Sequence, residues 1–280
     1  MAFKISVVDR VSTYPGRVTL TPVGDNTYDM VRADMPTEEG TLINAALFGS
    51  KADTLTEDVV VYVATNGSDV DGDGSVESPF LTIQAAVDAL PKHLGGHTAE
   101  IYVDFGVYDE RVSVVGFSGG KLIIGRPGNV FTINGIEINS CTYVETNIYQ
   151  IEYKQTGTKG LFDVSGGSTV MIKSDMIING ISAAGTGIRA MDGGVVATEE
   201  TIKVTINNCA AAAQATKCAF ISFGTLTGSG NTFGVLAYRG SIISYATDTL
   251  QKAWSHDANS GGMVLTGSNS TKLSGATIEL

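Results

Sequence analysis

The chain has 280 residues, 43% of them hydrophobic and 17% charged, with 34 glycines against 6 prolines. That profile excludes a collagenous or disordered polymer and suits a turn-rich, all-β protein with a substantial core. A formal charge of -11 without any run of Lys or Arg argues against nucleic acid as a partner, since phosphate binding needs a basic patch.

Residues 1–58 carry short apolar alternations, Phe3-Ile5-Val7 and Val18-Leu20, broken by Pro15-Gly16 and Pro22. The start, MAFKISVVDR, holds Asp9 and lacks the apolar core of a secretory signal, and no stretch of the chain is apolar for the length of a membrane span, so we expect cytoplasmic synthesis and no membrane insertion. Residues 41–49 (TLINAALFG) read as a helix, with Thr41 as N-cap, Ile43, Ala46 and Leu47 on one face and Gly49 as the stop. The segment is small for a core of its own and reads as an arm that docks on another chain.

Residues 59–98 read strand, loop, helix. VVVYVAT is β-rich, and TIQAAVDAL places Ile83, Ala86, Val87 and Leu90 at helical spacing, with Thr82 as cap and Pro91 at the end. One apolar helix face must cover something, and the exposed first end of the following sheet is the natural object. Between them lies NGSDVDGDGSVESPF, residues 66–80. Its Asp69, Asp71, Asp73, Gly74 and Glu77 fit positions 1, 3, 5, 6 and 9 of an EF-hand loop, but Phe80 stands where a bidentate Glu belongs and the flanks are a strand and a helix. We read a turn, with Ca²⁺ at Asp69, Asp71, Asp73 and Glu77 as the alternative and no other cofactor.

From residue 99 to 280 a Gly-Gly or Gly-Ser turn leads repeatedly into a β-branched strand, beginning at Gly166, Gly193, Gly240 and Gly261, spaced 27, 47 and 21 residues apart. With 47 near twice the low twenties, this period predicts a solenoid of roughly 23 residues per coil. Strands such as IYVDF, KLIIG, VFTING, VETNIY, TVMIK and IKVTINN alternate inward apolar with outward polar residues, and stacked coils would pair every backbone group. Asn207-Asn208 suits a laddered or left-handed turn. A β-sandwich is the rival, with hairpins at Asn134-Gly135 and Asn179-Gly180, and the Ala-rich run at 210–213 fits neither architecture well.

The combination VYVATNGSDVDGDGSVESPFLTIQAAVDALP, with Gly72, Asp73, Gly74, Pro79, Phe80, Thr82, Ile83, Gln84 and Ala85, followed by Gly106-Val107-Tyr108, resembles the first segment of right-handed parallel β-helix proteins related to pectate lyases. YPGRVTLTPV (14–23) and RADMPTEEGTLINAALF (32–48) resemble N-terminal segments of phage and prophage virion proteins. The resemblances imply an all-β, right-handed parallel β-helix at 99–280, a strand, loop and capping helix at 59–98, and an attachment segment at 1–58 that contacts other virion proteins. They imply a virion location and a homotrimer, as a tail fibre, tailspike or head-decorating fibre that binds host-surface glycans; a polysaccharide depolymerase, lyase or hydrolase, and a purely architectural decoration protein are the alternatives.

Carboxylate chemistry on such a fold needs an acid and a base on adjacent coils at a set separation. Asp175 and Glu199 are the candidate pair, drawn from a series that includes Asp163, Asp192 and Glu200, whereas Asp104, Asp109, Glu110 and Arg111 read as a self-neutralised rim. Outward charges are expected on any soluble solenoid, so we expect a non-enzymatic protein. Arg189 and Arg239 are candidates for gripping an acidic sugar through a planar fork, and Trp254, near Tyr245 and His256, for stacking on a sugar face. Cys141, Cys209 and Cys218 read as buried small hydrophobes. His93 and His97 are separated by Leu94-Gly95-Gly96, which breaks the helix a metal pair would need. No HExxH or GxxxxGK[ST] occurs.

Overall fold

A computed structural model describes residues 11–12, 18–24, 27–32, 36–38, 54–152, 160–181, 185–254, 257–259, 261–266, 270–273 and 276–279, with side chains described for 54–152, 160–181, 185–246 and 261–265. The chain divides into two compact units, Met1–Ala52 and Asp53–Leu280. In the first, strands Val18–Gly24 and Thr27–Arg32 pair antiparallel, as do Val11–Ser12 and Pro36–Glu38. Pro22, expected as a break, lies inside its strand opposite Tyr28, and the register shifts between it and Gly24. The predicted helix at 41–49 lies outside the described residues.

The second unit is a parallel β-solenoid with three sheet faces. Face 1 stacks Val59–Val63, Thr98–Val103, Lys121–Ile124, Val144–Thr146, Thr169–Ile172, Val195–Thr198, the starts of Phe220–Tyr238 and Ile242–Trp254, and Met263–Thr266. Face 2 runs from the start of Gly106–Val115 through Met176–Asn179 and Lys203–Asn207. Face 3 runs from the end of Gly106–Val115 through Phe162–Ser165, Thr186–Met191 and Ala211–Thr216. Among the described residues of this unit, the antiparallel pairings of a sandwich are confined to the last strands, where Met263–Thr266 meets Ser270–Leu273 and that strand meets Ala276–Glu279. Asn134-Gly135 sits within the strand Phe131–Asn139 and makes no hairpin.

Parallel register converts the two-residue alternation into columns along the axis. One inward column on face 1 reads Ala99, Leu122, Val144, Val170, Val196, Ile221, Ile243 and Val264, all buried. On face 3, Val112, Ile136, Phe162, Ile188, Ala213 and Val235 do the same. The Ala-rich run is therefore a face-3 strand. The packing beside it is close: a Cβ on Gly187 would lie 2.4 Å from Cγ2 of Ile206 and 2.6 Å from the Ala212 carbonyl oxygen.

The outward columns of face 1 divide into two halves. Up to Val144–Thr146 they carry charge, with ion pairs Arg126–Glu100 and Lys121–Glu145. Beyond that point one column reads Thr169, Val195, Phe220, Ile242 and Met263, and the other runs from Met171 through Ala197, Ser222 and Ser244 to Leu265, with no charged residue in either.

Helix α1, Ile83–Ala89, plugs the first end with Ile83, Ala86 and Val87 buried. Thr82 caps it by accepting from Ala85 N, as the spacing predicts. Among the described residues no helix is long and apolar enough to cross a membrane.

At the corner leading into face 1, two consecutive residues take left-handed backbone: Gly166-Gly167, Asp192-Gly193, Lys217-Cys218 and Arg239-Gly240. Hydrogen bonds from Gly167 N to Asp192 O, Gly193 N to Lys217 O and Cys218 N to Arg239 O stitch these turns together. Lys217-Cys218 is thus the unit missing from the 47-residue glycine gap. Cys218, in its corner turn, is exposed, against expectation, while Cys141 and Cys209 are buried as expected.

Two substitutions test this packing. Cys218 holds φ +61 where its stacked counterparts are glycine, so Cys218→Gly should raise stability by about 1 kcal/mol in a denaturant melt. Thr146 is wholly buried between Ile124 and Ile172 with its hydroxyl unpaired; Thr146→Val should likewise add about 1 kcal/mol by removing the unsatisfied group.

Candidate functional site

The trailing corner of face 1, where the chain turns into face 2, carries both members of the sequence-nominated pair, on adjacent coils. Asp175 follows Thr169–Ile172 and Glu199 follows Val195–Thr198, strands paired residue for residue. Each carboxylate, though, is joined to the neighbouring coil and not to the other. Glu199 is ion-paired with Lys173, whose ammonium this hydrogen bond holds above its usual range. Asp175 Oδ1 accepts from Lys203 N at 2.8 Å. Both acids are exposed, and the arrangement is one of inter-coil stitches.

One rung further on, the same corner holds a concavity of about 300 Å³ lined by Thr198, Glu200, Ser222, Phe223, Ser244 and Tyr245. Ser244 Oγ lies 3.0 Å from Ser222 Oγ, and Thr198 Oγ1 accepts from Gly224 N at 2.8 Å. Gly224 is required at its floor, since a Cβ would fall 2.4 Å from the Glu200 carbonyl oxygen and 2.6 Å from that of Glu199. Sequence reasoning missed this site. Its signal was the near-repeat Ile-Ser-Phe-Gly at 221–224 and Ile-Ser-Tyr-Ala at 243–246, a single coil apart.

Arg189, expected to grip an acidic ligand, spends its fork inside the protein. Its Nε and Nη2 donate to the two oxygens of Asp163 at 2.8 and 2.9 Å. From the other side Arg111 Nη2 donates to Asp163 Oδ2 at 3.1 Å and to Gly160 O at 3.0 Å. Arg111 spans an intervening coil to do so, and Gly135 leaves it room: a Cβ there would lie 2.5 Å from Nη1. Burial pushes the Asp163 carboxyl upward, opposed by the hydrogen bond from Arg189 and by both guanidinium charges. Arg239 is exposed at the leading corner of face 1. Trp254 ends its strand in register with Phe233; its side chain, and all of His256, lie outside the described part.

The aspartate loop serves α1. Asp69 Oδ1 accepts from Leu81 N and Thr82 N at 2.8 and 2.9 Å, and Oδ2 from Thr82 Oγ1 at 2.8 Å. Asp73 Oδ1 accepts from Ser75 N at 2.9 Å, a local turn that holds its carboxyl below the usual range. Asp71 and Glu77 are exposed. Glu110, read as rim, reaches from the Gly106–Val115 strand to accept from Ile83 N and Gln84 N at 2.7 and 3.0 Å. Asp69, Thr82 and Glu110 thus satisfy the amides of the helix start; burial raises the Glu110 carboxyl, and the two amide bonds oppose that rise. Among the described residues no three His, Cys, Asp or Glu side chains gather as metal ligands. His97 Nδ1 lies 3.5 Å from Asp58, and His93 Nδ1 accepts from Gly95 N.

Comparison with known protein families, curated proteins and solved structures finds no match to this chain.

The Asp163 cluster gives a direct mutational test. Removing the carboxylate leaves two guanidiniums facing each other with about a quarter of their surface in water. Asp163→Ala should therefore cost about 3 kcal/mol in equilibrium unfolding, the low end for a broken buried pair.

Proposed function

We propose that the chain is a structural appendage of a phage or prophage virion, a tail fibre, spike or head-decorating fibre of three copies. Residues 1–58 attach it to other virion proteins, and the solenoid is displayed to bind host-surface glycans. The observation that carries this reading is the use of the solenoid's charged side chains as stitches between coils, exposed at Lys173–Glu199 and from Asp175 to the Lys203 amide, and buried at Arg111–Asp163–Arg189. Such a surface suits a stiff rod. The virion placement draws on the likeness of residues 14–23 and 32–48 to virion proteins.

Purified virions from the host should carry the protein, seen by antibody labelling in electron microscopy. The isolated protein should be retained on host surface polysaccharide without producing new reducing ends or unsaturated products. Absence from virions contradicts the reading, and polysaccharide cleavage replaces it with the depolymerase alternative.

A further inference from the structure

The charge-free half of face 1 is unusual for this molecule. A protein of formal charge -11 repels its own copies, yet five successive rungs from Thr169–Ile172 to Met263–Thr266 present two outward columns without a charge. Phe220 in the middle rung is 36% exposed. A parallel sheet apolar on both sides is ordinarily covered on both, and a contiguous apolar patch on a soluble protein marks a contact surface.

Each edge of this face holds an exposed charge without a side-chain partner among the described residues, and the two charges are of opposite sign. At the leading edge Lys217 and Arg239 occupy consecutive turns. Lys217 pairs with Asp192 at 3.0 Å, whereas the exposed Arg239 has no side-chain partner among the described residues. At the trailing edge Glu199 pairs with Lys173, whereas the exposed Glu200, which lines the concavity, has no side-chain partner among the described residues. The leading edge is a column of left-handed turns, and the trailing edge is hollowed.

We infer that the occupant of this surface is a second copy of the chain, whose leading edge, with Arg239 foremost, seats in the Glu200 concavity while the charge-free columns pack around the symmetry axis. In a ring whose axis parallels the solenoid, the leading edge of each copy necessarily meets the trailing edge of the next, a heterologous contact that closes. No translation accompanies such a rotation, so equal heights meet. Arg239 precedes the Ile242 rung, the same rung that supplies Ser244 and Tyr245 to the hollow. Glu200 lies two rungs away, roughly 10 Å at the strand spacing, within the combined reach of an arginine and a glutamate. This inference rests on the self-association in the proposed reading and is independent of where in a virion the protein sits.

The full chain should sediment with the mass of three copies. Glu200→Arg and Arg239→Glu, each checked for a wild-type circular dichroism melt, should each weaken association at least tenfold. The double exchange, Glu200→Arg with Arg239→Glu, should restore it, and Phe220→Lys should abolish it. A monomeric wild type overturns the inference, as does a trimer indifferent to either single exchange or a double exchange that fails to recover. A trimer that ignores all three substitutions leaves the appendage reading standing on another interface; a responsive trimer missing from virions does the reverse.

Discussion

Backbone pairing between successive coils is the constraint from which the rest follows. Each strand finds its partners one coil away in sequence, so residues at equal position in their coils are held about 4.8 Å apart along the axis. Like side chains then accumulate in columns. Inward, this builds a continuous aliphatic core; at the leading corner it stacks left-handed turns; outward, it sets every charged group beside a residue two dozen positions away. Coil length varies from corner to corner, with Thr169 opposite Val195 but Phe220 opposite Ile242. The variation is absorbed in the turns, and the faces keep register.

Charge is used in two ways on this frame. Exposed pairs such as Lys173–Glu199 and Lys217–Asp192 join adjacent coils and contribute little individually, because water screens them. Asp163 is different: it is 5% exposed and held by guanidiniums on both sides, which makes its cluster a structural unit of face 3. Acidic groups at the first end are spent on helix capping, where Asp69 and Glu110 supply acceptors to amides that would otherwise be unpaired. The stitched surface and the charge-free half of face 1 together describe a solenoid with one face set apart.

The architecture was legible because alternation, the glycine period and the amphipathic run at 83–90 all report local geometry, and local geometry is what a short window of sequence encodes. Asn207-Asn208 illustrates this: Asn207 donates to Asn179 Oδ1 at 3.0 Å and Asn208 takes φ +56, the two roles expected of the pair. What escaped was register. The Ala-rich strand makes sense only beside Ile206 and Gly187, and Lys217-Cys218 is a turn only when stacked on Asp192-Gly193. The clamp of Arg111 on Asp163, fifty-two residues apart, and the pairing of Ser222 with Ser244 depend on turn lengths that no periodicity reveals. The candidate site was accordingly the least readable part, since its residues belong to different coils.

The account stands on inter-coil register, and spin labels measure it most directly. With Cys218 replaced by Ser, nitroxides at Ile177 and Thr205, assigned as facing partners on face 2, should show strong dipolar broadening in a continuous-wave spectrum of protein diluted with unlabelled chain. The singly labelled proteins should not. A doubly labelled spectrum equal to the sum of the two single ones would contradict the stacked-coil structure.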